Sequence, residues 1–301
     1  MLQIPSELAL SSAMANSLTN YQTQLNQLET TLAQGQNISQ PSDNPSGVVA
    51  LGNATASLSA YQQFASNIKT GETVASLANS SLNQAVNLVQ QIRSAMLQVG
   101  APGVTASSAA GIASQISGLE QSLLGVANTS YMGNAIFAGT SGAAVAYSQP
   151  GGAGTAVSYT GNSTATQVAA TPSLSIATSV TDPFGATSTS GGVFAAINQV
   201  ISDISSGNYS AVTGTDLATI TTALGNLTDQ SATAGVHYSQ LKGMSTQVAA
   251  AVTSITGQVA SIQNLDYASL TTQYQQQLNN YQVALFAASK VAQPSLASYL
   301  P

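Results

Sequence analysis

The chain has 301 residues, of which 44% are apolar and only 5% charged, against roughly a quarter charged in an ordinary soluble domain. Its four basic residues, Lys69, Arg93, Lys242 and Lys290, cannot build a phosphate-neutralising patch or a polybasic lipid anchor, which excludes nucleic acid as a partner. Cysteine is absent, removing disulfides, thiolate chemistry and the common zinc frameworks, and no run of about 18 apolar residues exists to insert into a membrane.

Ser, Thr, Asn, Gln, Gly and Ala fill the remainder, and a net charge of −6 is spread thinly over them. Such a surface repels its neighbours weakly and favours side-by-side packing of subunits. The first residues, MLQIPSELALSS, lack the basic region and the continuous apolar region of a cleaved secretory signal. Met14, Leu18, Tyr21, Leu25, Leu28 and Leu32 then recur at alternating steps of four and three. They form a narrow apolar seam on a helix otherwise covered by Gln, Asn and Thr. Gly35 is placed to stop that helix in the left-handed conformation.

Residues 38–47, ISQPSDNPSG, break the repeat. Pro41 and Pro45 forbid a continuous helix through the segment. Asp43 or Asn44 can cap a new helix, and Pro45 suits its first turn, where a missing N–H costs nothing. A metal or catalytic role for Asp43 lacks a second carboxylate or histidine nearby in sequence. The segment reads as a helix corner.

A second helix is expected from about Val48 to Val99, strictest at Leu82, Ala85, Val89, Ile92, Met96 and Val99, and closed by Gly100, Pro102 and Gly103. A third runs from about Ser107 to Ala127 with Ile112, Ile116, Leu119, Leu123 and Val126 as its stripe. From Gly139 to about Gly192 the sequence turns to Gly, Thr, Ser, Ala and Val, with alternating pieces such as TAVSYTG and SLSIATS between turn signals PGGAG and TGN. These read as exposed β-strands. Helix returns at Val193 with Phe194, Ile197, Ile201 and Ile204, is broken by SGNYSAVTGT, and resumes at Leu217, Ile220, Leu224 and Leu227. A long pattern then leads from Val236 to Tyr267, Leu270, Tyr274, Leu278, Tyr281, Leu285 and Ala288.

The fold class expected is mainly α with a β-rich insert. The N-terminal seam (14–32) and the C-terminal one (267–288) each span roughly 30 Å at about 1.5 Å per residue. Neither buries itself alone, so the two chain ends are expected to pair antiparallel, leaving apolar surface for other subunits. The expected parts are a terminal coiled coil of 1–40 with 264–301, a helical bundle of 41–138 with 193–263, and an outer β-rich domain of 139–192, in an elongated molecule.

Four stretches, in order, resemble one family. GQNISQPSDNPSG (35–47) is similar to the signature that follows the first helix of bacterial flagellar hook–filament junction proteins, the flagellin-like third hook-associated proteins. NTSYMGNAIFAGTSG (128–142) resembles the stretch where their helical part hands over to the β-rich one. VSYTGN (157–162) with GGVFAAINQV (191–200) resembles a strand and the re-entry into helix, and LDYASLTTQYQQQLNNYQVALFAASKVAQPSLASYL (265–300) resembles the closing helix. The motifs cover both termini and both domain junctions, and the PSDNP wording separates them from filament flagellins. Two departures stand out. Gln36 or Asn37 replaces a basic residue common in the family, and Asn44 replaces a second Asp. An inter-subunit ion pair at this loop is therefore in doubt.

The resemblance implies a structural role at the junction between hook and filament, in the extracellular flagellum, after export without a cleaved signal. The implied partners are further copies in a ring, hook-associated protein 1, flagellin, and a cytoplasmic chaperone for the C-terminal helix. It places the domain junction at Phe137, Gly139 and Phe194. Subunit packing falls to Leu18, Tyr21, Leu25, Leu28, Leu32, Tyr267, Leu270, Tyr274, Leu278, Tyr281 and Leu285. A filament flagellin and a surface-exposed adhesin-like coiled-coil protein are the alternatives.

No catalytic constellation accompanies these signals, and no cofactor is expected. His237 is the single histidine, with no acidic residue beside it. No nucleophile elbow or HExxH helix occurs, and GGAGT (151–155) lacks the lysine of a phosphate cradle. Tyr267, Tyr274 and Tyr281 recur every seven residues, as amphipathic anchors at subunit contacts or as core within the chain.

Overall fold

The structure, a computed structural model, describes residues 4–36, 38, 44–187 and 192–291. It is mainly α with small antiparallel sheets. By density of contacts the chain divides into two compact units, Met1–Ser59 with Val252–Pro301 and Ala60–Ala251.

The first unit is built on helix α1 (Ile4–Gln34) and the start of α2 (Pro45–Val99). Gly35 stops α1 at φ 67°, and its N–H donates to the Thr31 carbonyl at 3.0 Å. Ser and Thr hydroxyls along α1 turn back onto the helix itself: those of Ser17, Thr19, Thr23, Thr30 and Thr31 each donate to the carbonyl four residues earlier. A threonine bonded this way spends its donor internally and leaves its methyl facing outward.

The second unit has a continuous apolar core. On α2, Ala78, Leu82, Ala85, Val89, Ile92, Met96 and Val99 are buried at steps of three and four. They pack with α3 (Ala106–Ala127), whose N-cap Thr105 accepts from the Ser108 N–H, and with buried residues from the β-rich block and the later helices. Between the helices lie three two-stranded antiparallel sheets: β1 (Ser130–Tyr131) with β2 (Asn134–Ala135), β3 (Tyr147–Ser148) with β4 (Ser158–Tyr159), and β5 (Gln167–Thr171) with β6 (Leu174–Ala177). The strands are two to five residues long, shorter than the alternating sequence leads one to expect. Turns and side-chain bonds, rather than ladders, hold most of this block.

Helix α4 (Gly192–Ser205) follows, then a helical turn α5 (Tyr209–Ala211), a π-helical stretch Val212–Asp216, and α6 (Leu217–Gln263). The expected interruption over SGNYSAVTGT is thus only its first residues. Helix re-forms at Tyr209, and VTGTD is wound one residue wider per turn instead of breaking. The pattern expected to run on to the C-terminus does break, at Asn264–Asp266, before α7 (Tyr267–Val291). In α6, the Ser231 hydroxyl donates to Asn83 Oδ1 of α2 at 3.0 Å, and Gly235 lies against Asn79 Oδ1. This pairing is antiparallel.

Five aromatic rings of the second unit form one cluster around Tyr147. Its centroid lies 5.2 Å from Tyr159, 5.2 Å from Phe184 and 5.8 Å from Phe194, and Phe137 reaches the cluster through Phe184. The buried Tyr147 hydroxyl donates to Asp182 Oδ1 at 2.9 Å. Asp182 stands at φ 44°, and its carboxylate also accepts from the N–H groups of Ala186 and Thr187.

Burial first, and then the Asp182 charge, push the Tyr147 pKa well above its usual value. A group whose pKa is raised by folding stabilises the fold fully below its unfolded value, about 10 for tyrosine, and loses that contribution as pH rises beyond it. The Tyr147→Phe variant is expected to lose about 1–3 kcal/mol at neutral pH. Its thermal stability should then fall less steeply than that of the unaltered chain above about pH 10. Parallel alkaline slopes in circular-dichroism melts would show that Tyr147 is not the titrating group.

Candidate assembly surface

In the first unit, α1 and α7 pair antiparallel. Gln36 bridges Asn264, and the Tyr267 hydroxyl lies where a Gly35 side chain would begin. One helical turn and more further on, the Tyr274 hydroxyl donates to Glu29 Oε1 at 2.8 Å, and the Gln277 amide donates to Gln24. Numbers fall along one helix as they rise along the other, so the two seams stay in register. The bond to Glu29 is also the leading cause of a raised Tyr274 pKa. Asp266 Oδ1 caps the start of α7 by accepting from the Ser269 N–H at 3.0 Å.

The pair does not dry its own seam. Leu25 is the single buried residue among the described residues of this unit. Leu18, Tyr21, Leu28, Leu32, Leu270, Tyr274, Leu278 and Tyr281 are half-buried, while Tyr267 and Leu285 are exposed. Val283 and Phe286 point outward at 68% and 66% exposure, and Lys290 Nζ sits 5.5 Å above the Phe286 ring. The tyrosine ladder therefore alternates in role: Tyr274 is spent on a partner within the chain, whereas Tyr267 presents its ring to solvent.

At the corner, Pro41 and Asp43 lie outside the described residues. Asn44 Oδ1 accepts from the Gly47 N–H at 2.9 Å and from the Ser46 hydroxyl at 2.9 Å, which makes it an N-cap, with Pro45 as the first residue of α2. Of the two candidate caps, the asparagine holds the donors of the first turn.

In the second unit, Phe137 and Phe194 are both buried and share the aromatic cluster through Phe184. Gly139 stands at φ 67°, and a Cβ there would lie 2.4 Å from Asn162 Oδ1 and 2.7 Å from the carbonyls of Asn162 and Thr164. The space is needed because the 138–140 segment bonds directly to 162–164, with Thr140 N–H donating to the Thr164 carbonyl at 3.0 Å and Asn162 N–H to the Ala138 carbonyl at 3.1 Å.

Three polar side chains that sequence reasoning passed over hold this region. Asn128, the C-cap of α3, accepts from the N–H groups of Ala146 and Tyr147 and donates to the Tyr147 carbonyl at 2.8 Å. Asp182 ties Tyr147 to the following turn. Glu120 is fully buried, accepting from Gln149 Nε2 at 2.6 Å and from the Gly154 N–H at 3.0 Å, which fixes the PGGAG turn against α3. Burial raises the Glu120 pKa, and those two bonds oppose it. Only Asn128 carried a signal, as the first residue of the NTSYMGNAIFAG stretch.

His237 lies within α6 with its Nδ1 buried and without a hydrogen-bond partner, and burial lowers its pKa. No carboxylate or hydroxyl bonds to that nitrogen, so it has no relay to a nucleophile. Among the described residues no group of three or more His, Cys, Asp or Glu is placed to hold a metal ion, and no helix is long and apolar enough to cross a membrane.

Gly139→Ala combines a strained φ with contact against two backbone carbonyls. It is expected to cost about 2–4 kcal/mol, and a chemical-denaturation midpoint equal to that of the unaltered chain would refute the close approach.

The bacterial flagellin N-terminal helical region matches residues 6–142. No curated protein matches the sequence. Among solved structures, a putative flagellar hook-associated protein from Vibrio parahaemolyticus superposes with a TM-score of 0.66 at 20% identity, covering 74% of this chain and 100% of that one. Flagellar hook associated protein-3 from Legionella pneumophila gives 0.59 at 14% identity, covering 71% and 98%. Xanthomonas campestris FlgL gives 0.58 at 15% identity, covering 69% and 99%. At these identities the likeness is one of fold. The chain shares its fold with solved flagellar hook-associated proteins, and its similarity to the flagellin N-terminal helical region lies over residues 6–142.

Proposed function

We propose that the chain is a structural subunit of the bacterial flagellum, packed with its own copies in a ring that joins hook to filament. The observation that carries this reading is the terminal helix pair with one buried residue. Two helices facing each other along a one-residue seam cannot remove their apolar side chains from water, and a neighbouring helix can. Leu18, Tyr21, Leu28, Leu32, Leu270, Leu278 and Tyr281, half-buried in the single chain, become core when a neighbour covers them. Likeness in fold to junction and hook-associated proteins supports the same place in the organelle.

In this reading hook-associated protein 1 and flagellin are the neighbours along the axis, and the ring is extracellular. The outward Val283, Leu285 and Phe286 give a cytoplasmic chaperone an apolar face to cover before export. Asn44 caps α2 without a charge.

Deleting the gene tests the role directly. Hooks should still be built while flagellin is shed into the medium, whereas loss of a filament subunit would leave nothing to shed. The mechanism is tested on the purified chain. In the same reading the terminal helices become fully ordered only when a neighbour covers them, so helix content by circular dichroism should rise when the chain passes from monomer to assembly, and a monodisperse monomer already at full helicity would sink that coupling.

Leu285→Asp is expected to raise the critical concentration for assembly about tenfold or more, while leaving the melting temperature of the monomer nearly unchanged because Leu285 is exposed. With so few charges to screen, raising NaCl to about 0.5 M should shift that concentration by less than about threefold. Sedimentation measures both.

A further inference from the structure

We propose that the β1–β2 hairpin tip is an intersubunit anchor: Met132 of one copy enters the cleft beside the same hairpin of a second copy. The proposal rests on the assembly reading above and adds a contact outside the terminal helices.

Met132 and Gly133 form the two-residue connection of the hairpin, at φ 52° and 87°. A turn with both central residues at positive φ favours Asn, Asp or Gly at its first position, since a longer L side chain is strained there. The chain places methionine there instead, and leaves it 83% exposed, the highest value among the large apolar side chains described. Neither the monomer's backbone nor its core gains from that choice. An unbranched thioether at a tip is suited to filling an irregular hole elsewhere.

An unfilled hole of matching chemistry is present in the same unit. A cleft of about 410 Å³ lies between Thr70 and Val74 of α2, Tyr131 and Ile136 of the hairpin region, and Val168 and Ser179 of the β-rich block. No Lys, Arg, Asp, Glu or His lines it, and its walls are mostly apolar. Ser179, on its wall, is 1% exposed.

The knob cannot fill the hole of its own chain. Tyr131 and Asn134, which flank the turn, already form part of the cleft wall, and the Met132 side chain stands out in solvent. A second copy brings the missing knob. Its thioether takes the apolar space between Val74, Ile136 and Val168. Neither surface carries a charge, so no like-charge pair opposes the approach. Because one hairpin supplies both knob and wall, the contact can be handed from each copy to the next.

The test exploits opposite signs. Met132→Asn installs the residue that the turn prefers, so the monomer's melting temperature should stay level or rise. The critical concentration for assembly should rise about tenfold. A residue with only a structural role would move the first quantity and not the second. The absence of cysteine allows a second measurement: a mixture of single variants Met132→Cys and Thr70→Cys, oxidised during assembly, should yield a disulfide joining the two chains. Assembly of Met132→Asn at the unaltered concentration, or assembly with no such cross-link, overturns the hairpin contact and leaves the terminal-helix reading standing. Failure of the unaltered chain to associate at any concentration overturns both.

Discussion

A seam one side chain wide holds the ends of this chain together, and its insufficiency is the constraint on which the functional reading depends. Heptad spacing puts apolar residues on a narrow strip of α1 and of α7, and two such strips facing each other enclose, among the described residues, only Leu25. The remaining leucines and tyrosines of the strips keep one side in water. Each uncovered side chain withholds part of the roughly 25 cal/mol per Å² that complete burial supplies. The unit is held in register mainly by exposed polar contacts, Tyr274 to Glu29 and Gln277 to Gln24. Bonds of that kind specify an arrangement better than they stabilise it.

The second unit solves the opposite problem. Its core is continuous and buries the rings of Phe137, Tyr147, Phe184 and Phe194, so what needed fixing was a loop-rich block with strands of two to five residues. Asn128, Asp182 and Glu120 do this as acceptors, the first two half-buried and the third fully buried, each collecting N–H groups that no ladder satisfies. Leaving such groups unpaired costs more than the bonds themselves contribute. This asymmetry explains why a sequence with so few charged residues retains a carboxylate at the fully buried Glu120.

Low charge and back-bonded hydroxyls give the surface its character. Along α1 the threonines satisfy their own donors and turn methyl groups outward, and many on α6 do the same. The surface is therefore less polar than its serine and threonine content implies. Close packing of copies asks little desolvation of such a surface.

Local chemistry was legible in the sequence. Periods of three and four marked the helices, and the glycine at 35 and the proline at 45 lie where one helix stops and the next begins. Each of these depends on residues within a turn or two of one another, where spacing alone fixes what can bond or bury. The bonds from Ala146 to Asn128, from Tyr147 to Asp182 and from Gly154 to Glu120 join positions 18 to 35 apart, and no spacing rule reaches that far through irregular chain. Nor could periodicity say how much of a seam stays wet. A repeat determines which face is apolar, but only the folded chain decides whether anything within it lies opposite, because burial belongs to the pair of surfaces and not to either one.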